Sequence, residues 1–77
     1  MFEIFLHNDD KNTFHHVMKT LMQVCKHSPD QAEQCALIVH NNGKCSVKVC
    51  NNYLEMEKLN DELGAQGLTT NWSTIGA

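Results

Sequence analysis

Apolar and polar positions along the chain follow two different periods, one typical of strands and one typical of helices. Residues 2–6 carry β-forming side chains in imperfect alternation and predict a first strand. Residues 44–50 alternate strictly between apolar and polar side chains, so they predict a strand with one buried face. Residues 68–72 predict a third strand, and residues 73–77 after it are expected to form a loose tail.

Three segments with helical spacing of apolar residues lie between these strands. The first covers about residues 14–26, where apolar side chains recur every three or four positions. The second covers about residues 29–41 and follows Ser28, a residue type that accepts the free amide protons of a helix start. The third covers about residues 53–65, and its charged side chains indicate a solvated outer face.

The resulting element order, β-α-α-β-α-β, predicts an α+β fold. A helix buries one stripe and a short sheet buries one face, so a two-layer domain satisfies both. We expect a three-stranded antiparallel sheet packed against three helices. A chain of 77 residues has the length of one domain, so residues 1–77 are expected to form a single domain.

Charge and composition exclude several classes of protein. Six lysines, no arginine and nine acidic residues give a formal net charge of −3, which argues against a nucleic-acid binder because such proteins need a basic surface. No apolar run approaches the roughly 20 residues of a membrane-spanning helix, and the N-terminal sequence lacks the pattern of a secretory signal. The sequence therefore predicts a cytoplasmic protein without membrane contact.

Four cysteines and five histidines are the candidate metal and redox residues. The cysteines, at positions 25, 35, 45 and 50, form no C-x-x-C pair, so neither a redox motif nor a zinc ribbon is indicated. We interpret them mainly as buried free thiols, with disulfide pairing or metal ligation as alternatives. Only His15 and His16 are adjacent, and neighbouring helical residues diverge by about 100°, so no metal and no cofactor is expected.

Two features are unusual for a plain core. The segment His7-Asn8-Asp9-Asp10 places two carboxylates and an amide on the loop after the first strand, a group of acceptors suited to a metal or an ammonium ion. Calcium would need a longer acidic loop, so a calcium site is not expected. The alternative to any ion site is a structural turn whose side chains cap the following helix.

His40 lies near the end of the second predicted helix, where a half-buried structural histidine is the common case. No nucleophile elbow or phosphate loop appears, so we predict that the chain is not an enzyme.

Several segments together resemble ClpS, the adaptor of the bacterial and plastid Clp protease that recognises N-degrons. The resemblance covers about residues 3–70 and is most similar to the Bacteroidetes branch of that family. The loop motif and the histidine motif are specific in combination, whereas either one alone would be weak. The segments are His7-Asn8-Asp9-Asp10, Thr13-Phe14 with Val17, Gln31-Ala32, and Val39-His40-x-x-Gly43-Lys44.

The resemblance implies a pocket for the first residue of a substrate protein, in which Asn8, Asp9 and His40 hold the free α-ammonium group. It also implies a set of residues that line the side-chain pocket. Those residues are Asp10, Asn12, Phe14, Val17, Ala36, Val39 and Leu68. Phe14 and Ala36 both stand where family members often have Met, so the pocket shape is expected to differ. The implied preference is for N-terminal Phe, Tyr, Leu or Trp, with Ile and Val excluded.

The resemblance also implies two macromolecular partners, the N-terminal peptides of substrate proteins and the N-domain of a Clp AAA+ unfoldase. Tyr53 and Lys58 match the positions of the family's unfoldase-facing surface, although Tyr53 stands at an acidic place. The first predicted strand begins at Phe2, so we expect the flexible N-terminal extension of the family to be absent. We expect a monomer. The alternative is an interaction domain like the C-terminal domain of the ribosomal stalk protein, which has the same fold and no N-degron pocket.

Overall fold

The computed structural model of the chain describes residues 1–76. It contains six elements in the predicted order, and the predicted α+β fold is confirmed. The second strand and the third helix have the predicted bounds, whereas the other elements differ by one to two residues at their ends. The elements are β1 (Phe2–His7), α1 (Phe14–Val24), α2 (Pro29–Asn42), β2 (Lys44–Cys50), α3 (Tyr53–Ala65) and β3 (Thr69–Thr74).

The sheet has the strand order β2-β1-β3, and both pairings are antiparallel. The register between β1 and β2 shifts between Ile4 and Phe5 and skips Val47, so β2 contains a bulge. His27, buried after α1, donates a hydrogen bond of 2.8 Å from Nε2 to the Val47 carbonyl oxygen. The Val47 carbonyl therefore has a hydrogen-bond partner in His27, although the bulge interrupts the hydrogen-bond ladder between β1 and β2.

The helices cover one face of the sheet, and the core lies between the two layers. Ile4 and Leu6 alternate along the central strand and are almost fully buried, as expected for side chains that share one face. α1 and α3 contribute large side chains to the same cluster, whereas α2 contributes the smaller Ala32, Cys35 and Val39. The large, fully buried apolar members are Ile4, Leu6, Leu21, Met56 and Leu63.

Each helix begins at a side-chain cap. The oxygen atoms of Thr13, Ser28 and Asn52 accept hydrogen bonds from the third backbone N–H that follows, at 3.1, 3.2 and 2.7 Å. These caps satisfy amide groups that have no partner inside the helix. The predicted helix starts are therefore correct.

Two helix ends are set by residues in the left-handed backbone region. α1 ends at Val24 rather than at residue 26, because Lys26 has φ +59° and turns the chain so that the His27 N–H donates to the Leu21 carbonyl at 3.3 Å. α2 reaches Asn42 and stops at Gly43, which has φ +93°. Glycine adopts this conformation at little cost, so it ends the helix at a defined residue.

The third strand is longer than predicted. Ser73 pairs with Glu3 and Thr74 pairs with Phe2, so the prediction that a loose tail begins at Ser73 is wrong for these two residues. Their polar side chains carry little strand signal, and the pairing is set by the central strand beside them. The remainder of the predicted tail consists of Ile75 and Gly76, which follow the strand, and Ala77, which lies outside the described residues.

The structure also describes the cysteine thiols, the candidate metal ligands and the length of the helices. Cys25, Cys35 and Cys50 are buried free thiols, and Cys45 is a half-buried one. Within residues 1–76, no three side chains of His, Cys, Asp or Glu come together in a group that could hold a metal ion. Over the same residues, no helix has the length and apolar character needed to cross a membrane.

Candidate functional site

The loop between β1 and α1 is organised around the carboxylate of Asp9. Its Oδ1 atom accepts hydrogen bonds from the backbone N–H groups of Lys11 and Asn12, both at 2.9 Å, and from Asn12 Nδ2 at 3.0 Å. Its Oδ2 atom accepts from Asn12 Nδ2 at 2.8 Å and from Thr69 Oγ1 at 3.0 Å. A carboxylate has about four acceptor sites, so these contacts use nearly all of them. Asp9 therefore closes an Asx-type turn and holds it against β3.

These hydrogen bonds stabilise the charged form of Asp9. Partial desolvation acts in the opposite direction and raises the pKa, but the bonds from Asn12, Lys11 and Thr69 outweigh it, and the pKa of Asp9 lies below its ordinary value. The loop thus carries a negative charge throughout the neutral pH range.

Asn12 connects the same loop to the turn before β3. Its Nδ2 atom donates a hydrogen bond of 2.9 Å to the Gly67 carbonyl in addition to its bonds with Asp9. Gly67 has φ +88°, a conformation that suits glycine. The loop is therefore fixed to the α3–β3 turn by Asn12 and to the start of β3 by Asp9.

Asn8 connects the loop to the end of α2. Its backbone N–H donates a hydrogen bond of 2.8 Å to the carbonyl oxygen of Gly43, the residue that ends the helix. His40 lies in the last turn of that helix. The contact brings the Asn8 and His40 side chains to the same small cavity, although they are 32 positions apart in the chain.

Two adjoining cavities lie beneath this loop. One, of about 40 Å³, is bounded by the loop, α1 and the end of α2. Its lining residues are Asn8, Asn12, Phe14, Val17, Ala36, Val39 and His40. The other, of about 20 Å³, continues toward β1 and β3. Its lining residues are Leu6, His7, Asn8, Asp9, Asn12, Val17, Val39 and Leu68.

The linings bring together nearly every residue that the resemblance assigned to the pocket. Asp10 is the exception, because it is exposed on the loop and lies outside both linings. Leu6 and His7 were not predicted as lining residues. The sequence signal that could have indicated them is their place at the end of the first strand, next to the loop. In the structure, His7 Nε2 also donates a hydrogen bond of 2.6 Å to Asn71 Oδ1.

The apolar walls of the cavities differ in how firmly they are held. Ala36, Val39 and Leu68 are buried, and Val39 and Leu68 also belong to the main core. Phe14, in contrast, is 41% exposed at the first turn of α1. The floor is therefore part of the packed core, whereas the aromatic ring at the mouth has room to change rotamer.

The two residues predicted to face an unfoldase lie on α3, away from the cavities. Tyr53 packs edge-on against Phe2 and Trp72, with ring centroids 5.7 and 5.6 Å away, and the nearby Glu57 carboxylate raises the pKa of Tyr53. Lys58 lines a different groove, together with Glu55 and Glu62. Five helical positions turn by about 140°, so α3 does not place Tyr53 and Lys58 on one face.

The architecture is that of a small two-layer α+β domain with a polar loop over an apolar cavity. Residues 1–70 match the family described as "ATP-dependent Clp protease adaptor protein ClpS", and the chain belongs to this family. This confirms the resemblance to the ClpS family seen in the sequence, whereas the similarity to the Bacteroidetes branch stays a prediction.

Two relatives illustrate the relationship. The ATP-dependent Clp protease adapter protein ClpS of Nitratidesulfovibrio vulgaris (strain DSM 19637 / Miyazaki F) is 41% identical over 49 residues, which are 61% of this chain and 49% of the relative. The matched region thus spans about half the length of that protein. The structure of Agrobacterium tumefaciens ClpS2 bound to L-phenylalaninamide superimposes with a TM-score of 0.75 over 94% of this chain and 93% of that one, at 22% identity. The two proteins therefore share a fold.

Proposed function

We propose that this protein binds the free N-terminus of proteins whose first residue is Phe, Tyr, Leu or Trp and delivers them to a Clp AAA+ unfoldase. The observation that carries the proposal is the bond between Asn8 and Gly43, which sets an acidic loop and His40 around an apolar cavity. Membership of an adaptor family supports it. Further support comes from the ligand bound to Agrobacterium ClpS2, L-phenylalaninamide, which is an amide of phenylalanine with a free amino group.

The α-ammonium group of the substrate would be held at the rim. An α-amino group has a reference pKa of about 7.7–8.0, so it is largely charged at neutral pH. We assign the acceptors of its hydrogen bonds to the side chains of Asn8 and His40, which are both exposed. Asp9, whose oxygen atoms already accept bonds within the loop, would supply negative charge, and exposed Asp10 would add to it.

The side chain of the first residue would enter the cavity below the rim. The two cavities measure only about 40 and 20 Å³, so a leucine or phenylalanine side chain fits only after the Phe14 ring moves outward. The walls that remain, Val17 and Val39, are apolar and favour a hydrophobic side chain. After this movement the Phe14 ring would still border the mouth, where a β-branched residue carries its extra methyl group, and we expect such residues to be rejected.

A peptide titration tests the recognition step. Fluorescently labelled peptides that begin with Leu or Phe would be compared with the same peptides after N-terminal acetylation, which removes the charge and keeps the side chain. We expect binding of the free peptides and a loss of at least about tenfold on acetylation, in line with a charge-assisted hydrogen bond of about 1.5–3 kcal/mol. Equal binding of both forms would contradict the proposal.

Delivery requires a separate experiment because α3 lies away from the cavities. A reporter protein with N-terminal Phe would be degraded by a Clp unfoldase and protease with and without this protein. If α3 is the docking surface, Tyr53→Ala or Lys58→Ala should slow degradation and leave peptide binding unchanged. Asn8→Ala should abolish both, and it serves as the comparison that separates recognition from docking.

A further inference from the structure

Cys35 and Cys45 lie side by side where α2 packs on β2. Their Sγ atoms are 3.1 Å apart, although ten positions separate the two residues in the chain. Both sulfur atoms also lie near the Ser46 carbonyl oxygen, at 3.7 Å from Cys35 and 3.3 Å from Cys45. The spacing in the chain does not predict this pair, since two cysteines ten residues apart form no recognised motif.

The two thiols differ in their environment. Cys35 is 8% exposed, and burial together with the neighbouring Cys45 raises the pKa of Cys35 to about 12. Cys45 is half-buried and therefore reachable by a small reagent. Cys25 and Cys50 are more deeply buried, and burial raises the pKa of each of these thiols as well. The half-buried sulfur of Cys45 thus lies next to the buried sulfur of Cys35.

We propose that Cys35 and Cys45 are a reversible dithiol that a hydroperoxide closes to an intramolecular disulfide. The thiolate of Cys45 attacks one peroxide oxygen, the O–O bond breaks, and water or an alcohol leaves, so the sulfur is oxidised to a sulfenic acid and the peroxide is reduced. The Cys35 sulfur then attacks the Cys45 sulfur and displaces hydroxide, which leaves as water with the Cys35 proton. Two thiols and one hydroperoxide give one disulfide and two hydroxyl products.

The geometry requires only a small movement. A disulfide bond is about 2.05 Å long, so the sulfur atoms approach by about 1 Å from their separation of 3.1 Å. The bond would join a helix to a strand and close a loop over residues 35–45. That loop contains Val39 and His40 of the cavity wall and Gly43, which anchors Asn8. A disulfide across this loop reduces the conformational freedom of the unfolded chain. It also opposes local opening of the cavity wall that contains Val39 and His40.

Mass spectrometry of the whole chain tests the bond directly. After treatment with hydrogen peroxide we expect the loss of two hydrogen atoms and two titratable thiols instead of four. Trypsin cuts after lysine and leaves each cysteine on its own peptide, covering residues 20–26, 27–44, 45–48 and 49–58. The expected product joins peptide 27–44 to peptide 45–48, and dithiothreitol should separate them. Four remaining thiols, a linkage through Cys25 or Cys50, or a linkage between two chains would each overturn the proposal.

Variants provide the matched controls. Cys25→Ser should lose the same two hydrogens as the wild type, whereas Cys45→Ser and Cys35→Ser should not. The oxidised wild type should melt about 10 °C higher than the reduced protein, and its amides over residues 39–42 should exchange more slowly with solvent. Oxidised Cys45→Ser should show neither change. A thermal midpoint that does not rise on oxidation of the wild type would contradict the proposed closure of the wall.

Discussion

The backbone N–H of Asn8 donates to the carbonyl oxygen of Gly43 across 2.8 Å, and this single contact joins the loop after β1 to the end of α2. The geometry depends on the backbone of Gly43, whose φ of +93° both ends the helix and turns its carbonyl toward the loop. The candidate site therefore depends on a glycine that lies outside both cavities.

Replacing Gly43 by alanine should destabilise the protein through backbone strain alone. A Cβ atom at this position would meet no atom within 4 Å, so sterics do not contribute, but an L-residue in this region costs about 1–2 kcal/mol. The free energy of unfolding from a urea titration measures the effect.

The matched control for Gly43→Ala is Gly64→Ala. Gly64 lies in α3, where an added Cβ also meets no atom within 4 Å, and alanine is there the better helix former by about 0.5–1 kcal/mol. We expect opposite signs for the two substitutions. Equal effects would mean that the left-handed conformation of Gly43 does not contribute to stability.

The charge of Asp9 should make stability depend on acid pH. The folded pKa of Asp9 lies below its ordinary value of 3.8, so its contribution is fully present above that value and is lost as the pH falls through the folded pKa. Urea titrations between pH 5 and pH 2.5 should show a steeper loss of stability for the wild type than for Asp9→Asn. Parallel pH profiles of the two proteins would contradict the assignment.

The same substitution tests the proposed role of Asp9 in binding. Asp9→Asn removes a charge near the ammonium group, and a loss of about 1 kcal/mol in attraction predicts roughly fivefold weaker binding of a peptide with N-terminal Phe. Asp30→Asn is the control, because Asp30 lies in the first turn of α2 at the opposite end from His40. Equal affinity of the Asp9→Asn and Asp30→Asn proteins would exclude a charge effect of Asp9.

Binding of a free N-terminus should weaken in alkaline solution. The α-amino group of the peptide loses its proton with a reference pKa of about 7.7–8.0, so affinity should fall by up to about tenfold per pH unit above that range. A pH series of fluorescence titrations gives the slope. If affinity were constant from pH 7 to pH 9.5, the ammonium ion would not be the recognised group.

Phe14 should control the discrimination between Leu and Ile at the first position of the peptide. Phe14→Ala opens the mouth of the cavity, so we expect N-terminal Ile and Val to bind nearly as well as Leu. The change in stability should be small because Phe14 is 41% exposed and lies outside the main core. Phe5→Ala is the control, since Phe5 alternates with Ile4 and Leu6 and lies on the other face of the sheet, below Lys44. Unaltered selectivity of Phe14→Ala would show that another side chain excludes β-branched residues.

The helix starts and the order of elements could be predicted from the sequence because their causes are local. Ser28, for example, caps the amide of a residue three positions away, and such a contact is visible as a motif. The extension of β3 to Thr74 could not, because it depends on pairing with Phe2, at the other end of the chain. Features that depend on neighbouring residues could thus be predicted, whereas features that depend on residues far apart in the chain could not.

The candidate site shows the same division. The residue types on the loop indicated a group of acceptors, and the family motif indicated which residues surround it. The sequence did not reveal that the oxygen atoms of Asp9 accept bonds from Asn12 and Thr69, because Thr69 is 60 positions away. For the same reason the approach of Cys35 to Cys45 became visible only in three dimensions.

The anchoring of the loop has a consequence for how the protein is made. Asn12 is bonded to Gly67 and Asp9 to Thr69, so one side of the site consists of residues synthesised early and the other of residues synthesised late. A chain emerging from the ribosome therefore lacks the partners of Asn12 and Asp9 until residues 67–69 have been synthesised and have left the exit tunnel. The loop after β1 thus gains its anchors only after all three helices have been made.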